Sequence, residues 1–93
     1  MVFLWLQSVE LAVSRVVDRV KIGGHSVPED TIRRRYVAGL RNFFNLYLPM
    51  ADYWRFYDNS DASAFSLLAM KSHDETTIND KVTWQYLLET YSE

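Results

Sequence analysis

A chain of 93 residues with a formal net charge of -2 is long enough for one domain and a modest core, residues 1–93 forming a single unit. Hydrophobic content of 48% and aromatic content of 15% exclude a disordered chain, which cannot hide that much apolar surface. Absence of cysteine excludes a disulfide frame, a thiolate metal site and a cysteine nucleophile, and makes a cytoplasmic home the expectation.

Residues 2 to 6, Val-Phe-Leu-Trp-Leu, are continuously apolar, the signature of a strand over about 2–7 covered on both faces, as in a parallel sheet between helices. The run is far shorter than the roughly 20 residues of a membrane span and lacks the basic flank and cleavage site of a targeting peptide. Ser8 is placed to cap a helix over 9–21, where Val13, Val16, Val17 and Val20 form an apolar stripe. Gly23 and Gly24 end it, since glycine enters the left-handed C-cap conformation cheaply. Ser26 and Glu29 have capping-box spacing, with Pro28 in the first turn of a long helix over 29–48. Its stripe is Ile32, Tyr36, Leu40, Phe43, Phe44 and Tyr47, and Pro49 predicts a stop or kink near Leu48. Tyr53 to Tyr57 reads as a strand, Asp58-Asn59-Ser60-Asp61 as a turn, and Ala64 to Met70 as a strand paired with the first in a hairpin. Lys71 to Ile78 reads as polar loop, and a last helix over 79–91, capped by Asn79, carries Trp84, Leu87, Leu88 and Tyr91. Trp5, Trp54, Trp84, Phe43 and Phe44 are the expected core.

This order is α/β, strand-helix-helix-hairpin-helix. It does not by itself cover both faces of the first strand, so an upstream neighbour is expected. The phosphate-binding motif GxxxxGK[ST] is not present in these residues, whose glycines are Gly23, Gly24 and Gly39.

The run 24-GHSVPEDTIRRRYVAGLRNFFNLYLPMADYWRFYDNS-60 resembles the carboxyl-terminal part of the zeta-toxin-like P-loop kinases, also described as predicted ABC-type ATPases. The resemblance lies in a GGH-x-VP loop, I-x-RRY, a GL-x-NF helix, a P-[LM]-AD turn and a YDNS strand end. They follow a strand like the FLWL seen here and a helix of the form A-x-x-R-V-x-x-R-V. It implies a partial P-loop nucleotide-kinase-like fold in which another segment supplies the phosphate loop with its lysine and the acidic groups for Mg²⁺ and substrate. The segment seen here would supply a lid-like helical pair whose arginines approach the ATP phosphates. The better-known toxins of the family phosphorylate UDP-N-acetylglucosamine. Carried over residue by residue, the resemblance assigns Arg15, Arg19, Arg34 and Arg35 to phosphate and leaves Arg15 and Arg19 unranked. His25 takes a loop position where the toxins place an arginine. The implied ligand is a nucleotide, with ATP and Mg²⁺ belonging to the complete family; this chain by itself is expected to hold no cofactor and no metal and to transfer no phosphoryl group.

The guanidinium fork suits phosphoryl oxygens, whereas Arg15 and Arg19 on their own also fit a solvated helix face. Arg33, Arg34 and Arg35 point in three directions on a helix, so at most two serve one site. His25 and His73 have no ligand spacing, and Asp58 and Asp61 fit turn chemistry. A helix-turn-helix reading conflicts with an isoelectric point near 5.6, which offers no footprint for a phosphate backbone, so no nucleic acid is expected. The competing reading is a non-enzymatic interaction module binding its own copy or an antitoxin-type partner. The strand run Val2, Phe3, Leu4, Trp5 and Leu6 is then the expected homo-oligomer contact, because an uncovered apolar edge templates pairing.

Overall fold

The structure is a computed structural model that describes residues 1–24, 27–61 and 63–92. Its elements are β1 (Val2–Trp5), α1 (Val9–Lys21), α2 (Glu29–Asn42) running into a π-turn (Phe43–Tyr47), α3 (Leu48–Met50), β2 (Tyr53–Asp58), β3 (Ser66–Ser72), β4 (Glu75–Ile78) and α4 (Lys81–Tyr91). They form a mixed α/β fold around one four-stranded sheet in the order β1-β2-β3-β4. β1 and β2 are parallel, in register Val2 to Arg55 and Trp5 to Asp58, which requires the α1–α2 crossover between them. β2–β3 and β3–β4 are antiparallel.

The local rules explain α1 well. Ser8 Oγ accepts from the Leu11 N–H at 3.1 Å, satisfying an otherwise orphan donor of the first turn. The helix closes where Gly23 adopts φ 103°, and the Gly24 N–H reaches back to the Arg19 carbonyl at 2.8 Å. α2 begins directly after Pro28, which stands at the cap with no side-chain bond; the expected Ser26–Glu29 capping box lies outside the described residues because Ser26 does, and so does His25.

One face of the sheet carries the core. Phe43 and Phe56 are fully buried, and Trp5, Leu40, Phe44, Trp54, Leu68, Ala69, Trp84 and Leu87 join them, as expected of the tryptophans and the Phe43–Phe44 pair. The Trp54 and Trp84 rings stack at 5.3 Å and 7°, fastening α4 to β2. Phe43 meets Phe3 at 5.0 Å, Phe56 at 5.1 Å and Trp54 at 5.7 Å, and Phe44 meets Phe56 at 6.0 Å, so the π-turn after α2 closes over the sheet through both rings. The indole N–H groups of Trp5 and Trp54 are buried without a hydrogen-bond partner among the described residues.

As the element order implied, this chain covers one face of the first strand: Phe3 and Trp5 turn into the core, while Val2 and Leu4 are 63% and 49% exposed, because the helices that pack on the sheet cover one side. Three expectations are corrected. Residues 71–78 are not a loop. β3 runs on to Ser72, and after a turn in which His73 takes φ 55°, Glu75–Ile78 pairs as β4; a polar strand suits a sheet edge. Asn79 is not the cap of α4. Its Nδ2 donates to the Leu67 carbonyl at 2.9 Å, and Asp80 caps instead, accepting from the Thr83 N–H at 3.1 Å. The long helix does not end at 48: a π-turn carries it across Pro49 to Met50, with the Leu48 N–H bonding the Phe43 carbonyl. The β2–β3 hairpin stands, with a register shift between Phe56 and Tyr57 that leaves Leu68 extra and lets neighbours Leu68 and Ala69 both face inward. Among the described residues, no helix is long and apolar enough to cross a membrane.

Candidate functional site

α1 buries no residue fully, so its place depends on α2. Val13, Val16, Val17 and Val20 turn toward Val27 and Ile32 of the α2 side, leaving gaps that a tightly packed helix pair would not have. A polar clamp supplements the contact: Arg33 Nη1 lies 3.3 Å from Glu10 Oε1 on α1, and Arg33 Nη2 lies 3.7 Å from Glu29 Oε1. The Arg33 bond helps hold the Glu10 carboxyl below its usual range, behind the larger effect of a backbone hydrogen bond. Exposed pairs of this kind add only about 0.2–1 kcal/mol each, so the clamp sets register more than strength.

Between the helices, on the side facing the end of β1, lies a cleft of about 440 Å³. Arg15 and Arg19 reach it from α1 and Arg35 from α2, with Val16, Val27 and Ile32 as aliphatic wall. Spacing of four places Arg15 and Arg19 on one face, and the turn at Gly23 and Gly24 brings Arg35 opposite. Gly24 touches the helix end so closely that a Cβ there would stand 2.8 Å from the Arg19 carbonyl oxygen.

The three guanidinium groups are held differently. Arg15 is half-buried, and its Nη2 donates to the Ser60 carbonyl at 3.0 Å. Ser60 is in turn fixed by Asp58, whose carboxylate accepts from the Ser60 N–H at 2.9 Å, from the Ser60 hydroxyl, and from Gln7 Nε2 at 3.1 Å. Gln7 closes the ring by donating its N–H to Ser60 Oγ at 3.0 Å. Arg19 and Arg35 are exposed, and neither has an ion pair among the described residues. No Asp or Glu lines the cleft among the described residues. At its floor the Tyr36 hydroxyl donates to the Leu6 carbonyl at 2.7 Å, and burial pushes this phenol up to about 12.

Of the four arginines expected at phosphate, this geometry gathers Arg15, Arg19 and Arg35 and leaves Arg34 outside, about 100° round the helix from its neighbour. Arg33 is spent on Glu10 and Glu29. Tyr36 reads in the sequence as core stripe, and Asp58 as turn residue; their work in fixing the cleft depends on contacts across the fold. The Asp58-x-Ser60 spacing was the available signal, because such a carboxylate bonds the backbone two residues on. Asp61 does the same for Ser63, whose hydroxyl and N–H hold the Asp61 carboxyl below its usual range.

A second opening of about 510 Å³ lies beyond the carboxyl ends of β1 and β2, between Trp5, Gln7, Asp58, Asp80 and Tyr86. Both its carboxylates are occupied, Asp58 by Ser60 and Gln7 and Asp80 by the cap of α4. Guanidinium groups are cationic hydrogen-bond donors of the kind that pair with anions, and among the described residues no group of three or more His, Cys, Asp or Glu converges to hold a metal. The arrangement presents convergent cationic donors. No family model, curated protein or solved structure matches this chain.

Proposed function

We propose that this chain is the lid-bearing segment of a zeta-toxin-like, ATP-dependent small-molecule kinase, gripping nucleotide phosphates through Arg15, Arg19 and Arg35. The observation that carries this reading is the meeting of three arginines from two helices in one cleft whose described lining has no carboxylate to neutralise them. Guanidinium groups kept apart from acidic partners retain their full attraction for an anion, and the planar fork matches phosphoryl oxygens. The resemblance assigned these arginines to phosphate. A parallel β1–β2 pair joined by a two-helix crossover is compatible with a partial P-loop nucleotide-kinase-like fold. ATP supply makes the cytoplasm the compartment this reading requires.

Phosphoryl transfer needs the β- and γ-phosphates and Mg²⁺ fixed before an arginine helps, and these residues contain no GxxxxGK[ST] motif. A lid arginine worth about 10³ or more in rate has that value only on phosphates already held. The isolated chain is therefore expected to bind ATP without turning it over. Equilibrium dialysis with labelled ATP is the test. Binding by the wild type that is lost on replacing Arg15, Arg19 and Arg35 with alanine supports the reading; no binding, or turnover above background after stringent purification, contradicts it.

The exposed side of β1 favours a second reading, a non-enzymatic interaction module that pairs with its own copy. Val2 and Leu4 stand on an edge strand with one neighbour, β2, while Phe3 and Trp5 are already taken by the core. The surface offered to another chain thus shrinks from five side chains to Val2, Leu4 and half-buried Leu6. Light scattering at micromolar concentration that finds only monomer removes this reading.

A further inference from the structure

We infer that the free edge of β1 is a docking slot for an extended strand of a partner protein, one that alternates apolar residues and carries a carboxylate at the end lying beside Arg35. This goes beyond the proposed function: it does not depend on the lid reading, and it gives the β1 edge a different occupant from the self-pairing reading.

The backbone of β1 selects the kind of chain that pairs there. β1 is the terminal strand of the sheet, with β2 on one side only. The Arg55 N–H donates to the Met1 carbonyl at 2.9 Å and the Asn59 N–H to the Trp5 carbonyl at 2.7 Å, so the backbone groups of the odd-numbered residues address β2. Val2 and Leu4 therefore turn their N–H and C=O groups to the open edge, and an added strand is what satisfies a row of such groups. At the far end the Leu6 carbonyl is taken by the Tyr36 hydroxyl at 2.7 Å, which marks where the pairing stops.

Beside that edge, between β1 and α2, lies a groove of about 200 Å³ whose lining includes Phe3, Trp5, Arg35, Tyr36, Gly39 and Leu40. An apolar cavity of roughly 150 Å³ holds a benzene molecule, so the groove admits a branched aliphatic side chain. A glycine inside a helix costs stability relative to alanine, yet at Gly39 no heavy atom beyond its own stretch of helix lies within 4 Å of where a Cβ would stand. Packing among the described residues does not require that glycine; a side chain entering from outside does. Successive side chains of a strand point to opposite faces, so a strand on the β1 edge sends alternate residues into this groove and sets the others beside exposed Val2 and Leu4. A second copy's β1 does not do this, because its Phe3, stacked on Phe56 at 5.0 Å, and its Trp5 are committed to their own core. Charge completes the description of the partner. Arg35 stands exposed next to Tyr36, at the Leu6 end of the groove, with no ion pair among the described residues. A guanidinium has donors enough to take a carboxylate on one side and a phosphate oxygen on the other.

Amide hydrogen exchange and nitrogen–proton spectra of the full chain test this, with a synthetic peptide of alternating valine and threonine bearing glutamate at each end as the probe. Saturable binding should protect the Val2 and Leu4 amides from exchange by about tenfold or more. Gly39→Leu extends into open space, so the fold, checked by circular dichroism, should stand while peptide affinity falls by about tenfold. A lysine-ended version of the peptide should bind about fivefold more weakly, and Arg35→Ala should erase that difference. No binding at millimolar peptide, protection elsewhere than at Val2 and Leu4, equal affinity for the two peptides, or unchanged affinity in Gly39→Leu overturns the inference and leaves the lid reading in place. Protection of the same two amides without peptide, rising with protein concentration, overturns it in favour of self-pairing.

Discussion

Asp58→Ala tests whether the ring of Gln7, Asp58 and Ser60 is what sets Arg15 into the cleft. The carboxylate accepts two part-buried hydrogen bonds from Ser60 and one exposed bond from Gln7. With each part-buried bond worth about 1 kcal/mol and the exposed one a fraction of that, the loss comes to about 2 kcal/mol. For a domain of this size that lowers the thermal midpoint by roughly 8–16 °C, read by circular dichroism. Ser60 then loses its orientation, and with it the carbonyl that anchors Arg15 at 3.0 Å. Phosphate affinity should fall by about fivefold, equivalent to ~1 kcal/mol. Asp58→Asn keeps an acceptor oxygen and should fall between the two. An unchanged midpoint in Asp58→Ala refutes the energetic argument. A lowered midpoint with unchanged phosphate affinity refutes the claim that this ring positions Arg15.

Phe43→Ala should cost about 3–5 kcal/mol by urea unfolding, because a fully buried ring shared by β1, β2 and the π-turn leaves a cavity that cannot collapse; a cost below about 1 kcal/mol would contradict this. Gly24→Ala sets a Cβ 2.8 Å from the Arg19 carbonyl oxygen, so the loop must shift: stability should drop by about 1 kcal/mol or more, and phosphate binding with it. Tyr36, raised from 10.0 to about 12, favours folding while its phenol is neutral in both states, so that contribution is complete below pH 10.0 and is lost as pH climbs toward about 12. Stability of the wild type relative to Tyr36→Phe, followed by urea midpoints across alkaline pH, should therefore decline in that window; a difference that stays flat refutes the assignment.

The α1 cap, the valine stripe and the Gly23 turn were legible because each depends on neighbours within one or two turns of the chain. The three buried tryptophans were legible from size and hydrophobicity. β4 was hidden since Glu75, Thr76 and Thr77 show no apolar alternation, and only pairing with β3 makes them a strand. Pro49 signalled a stop or a kink near Leu48, and the chain instead widens into a π-turn just before it and stays helical to Met50. The apolar run at β1 reported that the strand belongs to a parallel pair, and the element order already implied that this chain leaves one of its faces uncovered. Choosing among Arg33, Arg34 and Arg35 required the placement of α1, because Glu10 claims the first and the cleft receives only the third.

The central claim is that Arg15, Arg19 and Arg35, and not Arg34, face a bound phosphate. Nitrogen–proton spectra of the arginine side chains, assigned by substitution and titrated with inorganic tripolyphosphate, report on each guanidinium separately. The account predicts saturable shifts of the Nε–H signals of Arg15, Arg19 and Arg35, with Arg34 following only the small drift of a salt control. Equal movement of all four, or the largest movement at Arg34, would contradict it.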